Sequence, residues 1–364
     1  MPQADAYRRA LSVSVILPSL AFLGFAAAPT PVSAQDAIAD FYKGKQIKVI
    51  IRSSPGGSYD LYSRMVARHI GRHIPGNPSA IAINMPGGGG LTSVNHVANQ
   101  EPRDGTVLTM PAVGITMYQA LGFFGDTLKA DVGQFFWVGN LSSSNPVVAT
   151  YKDSKIKTLA DAKAQVAHLG TSGAGSISAQ LPAVYNNLLG TKFKVLYGYD
   201  GDDAIAMERG EIDGRASNTY ASYSATQRDW VVNKKLNWIL QVGLTKEKDL
   251  PNVPLLRELA QNEEQQQIFD FLSKVVVNSR AIMTTPGTPP ERVAALRKAF
   301  TTMVNDPVFL DEAAKQNAEI GFMEGTVVQQ LNDDILKTPK PLLDKLKLYM
   351  QHKTGDEVQY EKKK

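Results

Sequence analysis

The 364-residue chain contains no cysteine, which excludes disulfides, a thiolate nucleophile and a lipid-modified cysteine. Excess charge is scarce too. The formal net charge is +4, and no dense basic run precedes the terminal Lys362-Lys363-Lys364, so nothing points to nucleic acid. Beyond the N-terminal stretch, no run approaches the roughly 20 apolar residues that span a bilayer. Several catalytic patterns are also missing. "GTSGAG", from Gly170, falls short of the G-x-S-x-G nucleophile elbow because Ala174 follows Gly173. Gly173-Ala174-Gly175 continues as Ser176-Ile177-Ser178, which breaks the dinucleotide fingerprint, and Gly87 to Gly90 has no lysine-serine after it. His69 and His73 have the spacing of a two-histidine metal pair, but Ile70-Gly71-Arg72 between them supplies no glutamate. They read as side chains of an amphipathic helix. No metal and no cofactor is expected.

The N-terminus is informative. Arg8-Arg9 precede the apolar "ALSVSVILPSLAFLGFAAA", and Val32 and Ala34 put small residues before Gln35. This three-part layout is that of a secretory signal peptide over 1–34, cleaved after Ala34. Pro18, Pro29 and Pro31 argue against an anchoring helix. The arginine pair leaves general-secretory and twin-arginine export both open. An exported chain without cysteine must rest on its core, which 43% hydrophobic residues allow, and the bacterial periplasm is the natural compartment.

Strand and helix patterns alternate along the rest. "QIKVIIR" (46–52) reads as a buried strand. Tyr62, Met65, Val66, His69 and Ile70 then form the one-sided stripe of a packed helix. "SAIAINM" and "TVLTMPA" are the next strands, with helix "LTSVNHVANQ" between them. This βαβ order predicts a mainly parallel sheet flanked by helices. A second alternation starts after Asn145-Pro146: strand "PVVAT", a helix capped by Thr158 with Asp161, strand "AHLG", helix "SAQLPAVYNNLLG", strand "KFKVLYG", helix "DAIAMERG" and strand "LNWILQVGL". Lys246 to Gln267 reads as a connection. "SKVVVNSRAIMTTPGTPPERVAALRKAF" supplies a strand, a loop and a helix started by Pro289-Pro290, and the remainder is helical with a break near Pro339 and Pro341.

Three strand-to-helix turns are rich in glycine: "SSPGGSYD" (53–60), "MPGGGGLT" (85–92) and "GTSGAGSIS" (170–178). Such turns lie at the carboxyl ends of parallel strands, where ligands bind. Helix N-termini there offer free N–H groups and a positive dipole end to an anion. Asp60 is better suited to fixing the first turn than to meeting an anionic ligand.

In this order the motifs resemble the substrate-binding proteins of tripartite tricarboxylate transporters, the Bug or TctC family. The resemblance rests on "FYKGKQIKVII", Pro55-Gly56-Gly57-Ser58-Tyr59-Asp60, Asn84 to Gly90, "EPRDGTVL", Ser172 to Ser176, "GYDG" (198–201), "ERGEIDG" and "TTPGTPPERV". It covers essentially the whole mature chain. Two departures stand on the second half: "SISAQLP" (176–182) has no histidine shortly after the turn, and Tyr199-Asp200-Gly201 replaces a Tyr-Lys-Gly loop. The resemblance implies a two-lobed α/β periplasmic binding protein of type II, each lobe a mainly parallel sheet flanked by helices. Lobe one would hold 37–143 and 269–364, and lobe two 144–268. A small organic carboxylate would lie between the lobes, close them, and pass to the transporter's membrane subunits. The contact set would be Ser54, Gly56, Gly57, Ser58, Tyr59, Gly114, Thr171, Ser172, Gly173, Gly175, Ser176, Tyr199 and Asn218. The protein would be a monomer and not an enzyme. Two other readings stand beside this one: an exported serine hydrolase using Ser172 or Ser176 with His168, and a solute sensor feeding a signalling kinase.

Overall fold

The computed structural model describes residues 34–173, 176–199, 203–353 and 355–359. The expected leader, Ala34 excepted, lies outside the described residues, as do Gly175, Asp200 and Gly201. Among the described residues, no helix is long and apolar enough to cross a membrane.

Among the described residues, twelve strands form two six-stranded sheets. The first half contributes β1 (Gln46–Ile51), β2 (Ser79–Asn84), β3 (Val107–Met110) and β4 (Phe136–Asn140). The chain then crosses through 141–145 into β5 (Pro146–Tyr151), β6 (Ala167–Thr171), β7 (Phe193–Tyr197), β8 (Gly214–Thr219) and β9 (Leu236–Gln241). It returns through β10 (Ala281–Thr284) and β11 (Met323–Glu324), and ends in β12 (Glu357–Gln359). The sheet orders are β11-β4-β10-β3-β1-β2 and β12-β7-β6-β8-β5-β9.

Two α/β lobes are therefore present, as expected, but their sheets are mixed. β1 runs parallel to β2 and β3, and β6 runs parallel to β7 and β8, where βαβ units build the sheet. β10 is antiparallel to both β3 and β4, and β5 is antiparallel to both β8 and β9. Those are the strands that carry the chain between sheets, so they enter against the local direction. The tail departs from the expected division. β12 pairs with β7, and helix Lys340–Tyr349 packs on helix Ile177–Leu189, so the end of 269–364 belongs with the second sheet.

Burial explains why the local readings worked. Ile47, Val49, Ile50 and Ile51 of β1 are fully buried, and so are Tyr62, Met65, Val66 and Ile70 on the stripe of helix Ser58–His69. Thr158 and Asp161 form the anticipated reciprocal cap. Two elements differ from expectation. Glu263–Val276 is one helix, where the sequence suggests a connection up to Gln267 and a strand at Val275-Val276. Its buried face, Ile268, Phe269, Leu272, Val275 and Val276, decides for helix over the β-propensity of the valines. Asn262, which accepts from the Gln265 N–H, and Glu263-Glu264 in the first turn were the available start signals. β8 went unread because "GRASNT" has no apolar run.

Candidate functional site

The cleft between the sheets opens where β1, β3, β6 and β8 end. It is lined by Arg52 to Ser54, Gly56 to Tyr59, Ala112, Val113, Ser172, Ser176 to Ser178, Asp203, Arg215, Ser217 to Thr219, Ser222, Thr226, Gln227 and Arg280, around about 910 Å³ of space that includes its open mouth. Both lobes therefore contribute, at the strand ends where open α/β sheets bind ligands.

The first turn is pinned from behind. The Gly56 N–H donates to Asp60 Oδ2 (3.0 Å), and Arg64 Nε and Asn84 Nδ2 each donate to Asp60 Oδ1 at 2.8 Å. Asn84 Nδ2 also donates to the Ser53 carbonyl at 2.9 Å, which ties the turn to the end of β2. Burial pushes the Asp60 carboxyl upward, but the donors Arg64, Asn84 and Gly56 outweigh it and hold the group below its ordinary value. Asp60 thus fixes the turn, as anticipated. The left-handed backbone that requires glycine falls on Gly56 (φ 93°). Gly57 has φ −85°, and a Cβ there would meet nothing within 4 Å, so its role is to keep the cleft wall low.

Beside this turn stand two arginines that the glycine reasoning missed. Arg52 follows β1 directly, is 8% exposed, and donates from Nη2 to the Gly89 carbonyl at 2.7 Å. Arg280 precedes β10 and is 3% exposed. Its Nη1 donates to the Ser279 carbonyl (2.8 Å), and its Nη2 reaches Ser58 Oγ (2.8 Å) in one lobe and Thr219 Oγ1 (3.2 Å) in the other. Both guanidinium carbons lie 4.5 Å from the centroid of the Tyr59 ring. The ring is held in turn by the Val113 N–H, which donates to its hydroxyl at 3.2 Å. Each such cation–ring contact is worth roughly 0.5–2 kcal/mol, too little to replace a counter-charge for a buried guanidinium.

The second wall has a different character. Thr171 Oγ1, Ser176 Oγ and Ser178 Oγ form a triangle with every edge 2.7 Å. Contacts that short between hydroxyls need a proton on each edge, so the three protons are used within the ring and its lone pairs face outward. Arg215 Nη1 pairs with Asp203 Oδ2 at 2.9 Å. Among the described lining residues, three arginines face one carboxylate, and the cleft is electropositive.

Of the expected contacts, Ser54, Gly56, Gly57, Ser58, Tyr59, Ser172, Ser176 and Asn218 line the cleft. Thr171 is fully buried behind Ser176 and Ser178. Gly173 sits against the Gly88-Gly89 loop of the other lobe, 3.5 Å from the Gly89 nitrogen to where its Cβ would be, so two of the glycine turns meet at the cleft mouth. Two further expected residues are not among those that line the cleft. Tyr199 packs in the second lobe's core against Gly170, and Gly114 starts helix Ile115–Ala120 beside Met117, Val275 and the cleft-lining Ile177. Gly170 leaves room for an aromatic ring, which draws Tyr199 inward. Gly114 has φ 86° at a helix start, a conformation that favours glycine.

Among the described residues, His168 and the candidate serines are not brought together. His168 stands four residues before Ser172, about 13 Å along an extended strand. Its ring nitrogen is nearest the Asp213 carboxylate, at 3.8 Å, and Ser176 is engaged by Thr171 and Ser178. His69 and His73 each meet a separate carboxylate, Glu312 and Asp306.

No protein-family model matches the chain, and no curated protein matches it in sequence. Solved structures do match in fold. A TctC solute-binding protein from Polaromonas is 21% identical, with TM-score 0.57 over 84% of this chain and 99% of the other. An R. palustris protein with adipate is 16% identical, with TM-score 0.63 over 84% and 97%. MatC from Rhodopseudomonas palustris with bound malate is also 16% identical, with TM-score 0.63 over 84% and 99%. The fold is that of the two-lobed periplasmic solute-binding proteins.

Proposed function

We infer that the chain is an exported solute receptor of the tripartite tricarboxylate type, which captures a small organic carboxylate in the periplasm and delivers it to membrane subunits. The observation that carries this reading is the electropositive interlobe cleft, in which Arg52 and Arg280 are buried beside a glycine turn and a helix N-terminus. Adipate and malate are the ligands of two proteins with this fold. Among its described residues the cleft offers donors and no assembled nucleophile, which suits holding an anion rather than transforming it.

The two lobes, divided near 143 and 269 with the C-terminal end returned to the second, would close on the ligand because contacts come from both. Calorimetric titration of the mature protein with a carboxylate library tests the reading. A saturable one-to-one ligand with a smaller radius of gyration at saturation is expected, and ester turnover without stable carboxylate binding would overturn it. Mass spectrometry of periplasmic material is expected to place the mature N-terminus at Gln35. A chain beginning at Met1 would contradict export.

A further inference from the structure

Arg52 and Arg280 have no carboxylate within 4.0 Å among the described residues, and the Nε of each is buried without a hydrogen-bond partner. Both side chains are more than nine-tenths buried, and both line the cleft. Because each guanidinium carbon is 4.5 Å from the same ring centroid, the two are at most twice that distance apart. Two like charges that close, in a site screened from water, repel strongly and leave two desolvated cations uncompensated. A monoanion neutralises one of them. A compact dianion neutralises both, and each unused Nε–H gains an acceptor.

Hydroxyls and amides in the cleft could hold any carboxylate, but they cannot count its charge. The arginine pair can. The acidic residue on the opposite wall, Asp203, is already committed to Arg215, so it does not serve as counter-charge for this pair. A purely bracing role would explain the Arg280 bonds to Ser58 and Thr219, but not the buried, unused Nε atoms.

We propose that Arg52 and Arg280, set around Tyr59, are the specificity-determining residues of the cleft and select a compact organic dianion over the matching monoanion. The proposal rests on the receptor reading above and names the charge of its ligand. Two negative groups of one small molecule, or a single phosphoryl-type group, present the same charge, and matched probes separate these sources.

The test is calorimetric titration of the wild-type mature protein with malonate, succinate and methylphosphonate, each against its monoanionic partner. The partners are the two monoamides and the phosphonate monomethyl ester, at a pH where every acid group is ionised. The dianion is expected to bind roughly thirtyfold tighter or better than its partner in at least one pair, the loss that follows when a buried charge is left unpaired. A preference among the carboxylates alone assigns a dicarboxylate, and one in the phosphonate alone assigns a phosphoryl group. Arg52→Gln is expected to erase the preference, and Arg52→Lys to restore part of it. Equal affinities within every pair overturn charge selection while leaving the receptor reading standing. Binding by none of the six probes overturns the compact-dianion proposal, and only failure of the whole carboxylate library as well overturns the receptor.

Discussion

The two walls of the cleft begin from similar sequence and end with opposite chemistry. "SSPGGSYD" and "GTSGAGSIS" both join a strand to a helix through glycine and serine. The first is braced by Asp60, Arg64 and Asn84 and stands beside two buried arginines, so it presents donors and positive charge. In the second, Thr171, Ser176 and Ser178 spend their protons on one another and present lone pairs. A glycine turn therefore sets how near a ligand can come, while the side chains around it decide what charge it can carry. The first wall should dominate affinity, and the second should tune it.

Substitutions that separate the walls would break or sharpen this contrast. Gly57→Val should have the largest effect. Its backbone, at φ −85°, accepts a side chain, and no atom lies within 4 Å of the new Cβ, so the ligand-free melting temperature should hardly move. The side chain would instead occupy the ligand's space at the first wall, and titration should show binding lost. Normal affinity in Gly57→Val would place the ligand elsewhere.

Asp60→Asn should come next, acting on stability. It removes the negative charge and one of the two oxygens, so either Gly56 or the Arg64–Asn84 pair loses its acceptor, at about 1–3 kcal/mol in a denaturation experiment. The pH dependence has a definite sign. The folded Asp60 carboxyl titrates below its ordinary value, so its contribution is present above the unfolded value and is lost as pH falls through the folded one. Stability of the wild type should fall across that acid window, and Asp60→Asn should flatten this part of the curve. An unchanged acid limb would remove Asp60 from the account.

Ser176→Ala should be the mildest. Ser176 spends its proton inside the hydroxyl triangle and not on an anion, so its loss should leave Kd within about 0.5–1.5 kcal/mol of the wild-type value. A loss as large as that of Gly57→Val would mean that the second wall dominates instead.

Much of this architecture was legible in the chain because apolar periodicity and burial coincide. The stripe of Tyr62, Met65, Val66 and Ile70 is buried as its spacing demands, and Thr158 caps its helix with Asp161. What escaped was polar or non-local. β8 is an interior strand of its sheet, yet Gly214–Thr219 faces the cleft with Arg215, Ser217 and Asn218, so no hydrophobic run announces it. Arg280 lies 228 positions from Arg52 in the chain, and only the return of β10 between β3 and β4 brings it to Tyr59. Arg52 itself carried a usable signal, a cation directly after a buried strand, but glycines drew the reading toward backbone donors. Tyr199 and Gly114 show the converse ambiguity, since aromatic and glycine residues of such loops also serve core packing and helix starts.

The central claim is that a small organic carboxylate is held at the first wall through Arg52 and its neighbours. The most direct measurement is a thermal-shift screen of one carboxylate library against the mature wild type and Arg52→Gln in parallel. A ligand at a thousandfold excess over Kd stabilises the folded state by about 4 kcal/mol, which is readily seen as a shift in Tm. The account predicts at least one carboxylate that raises the wild-type Tm saturably and leaves Arg52→Gln largely unmoved. A library that shifts neither protein, or a ligand that shifts both equally, would contradict it.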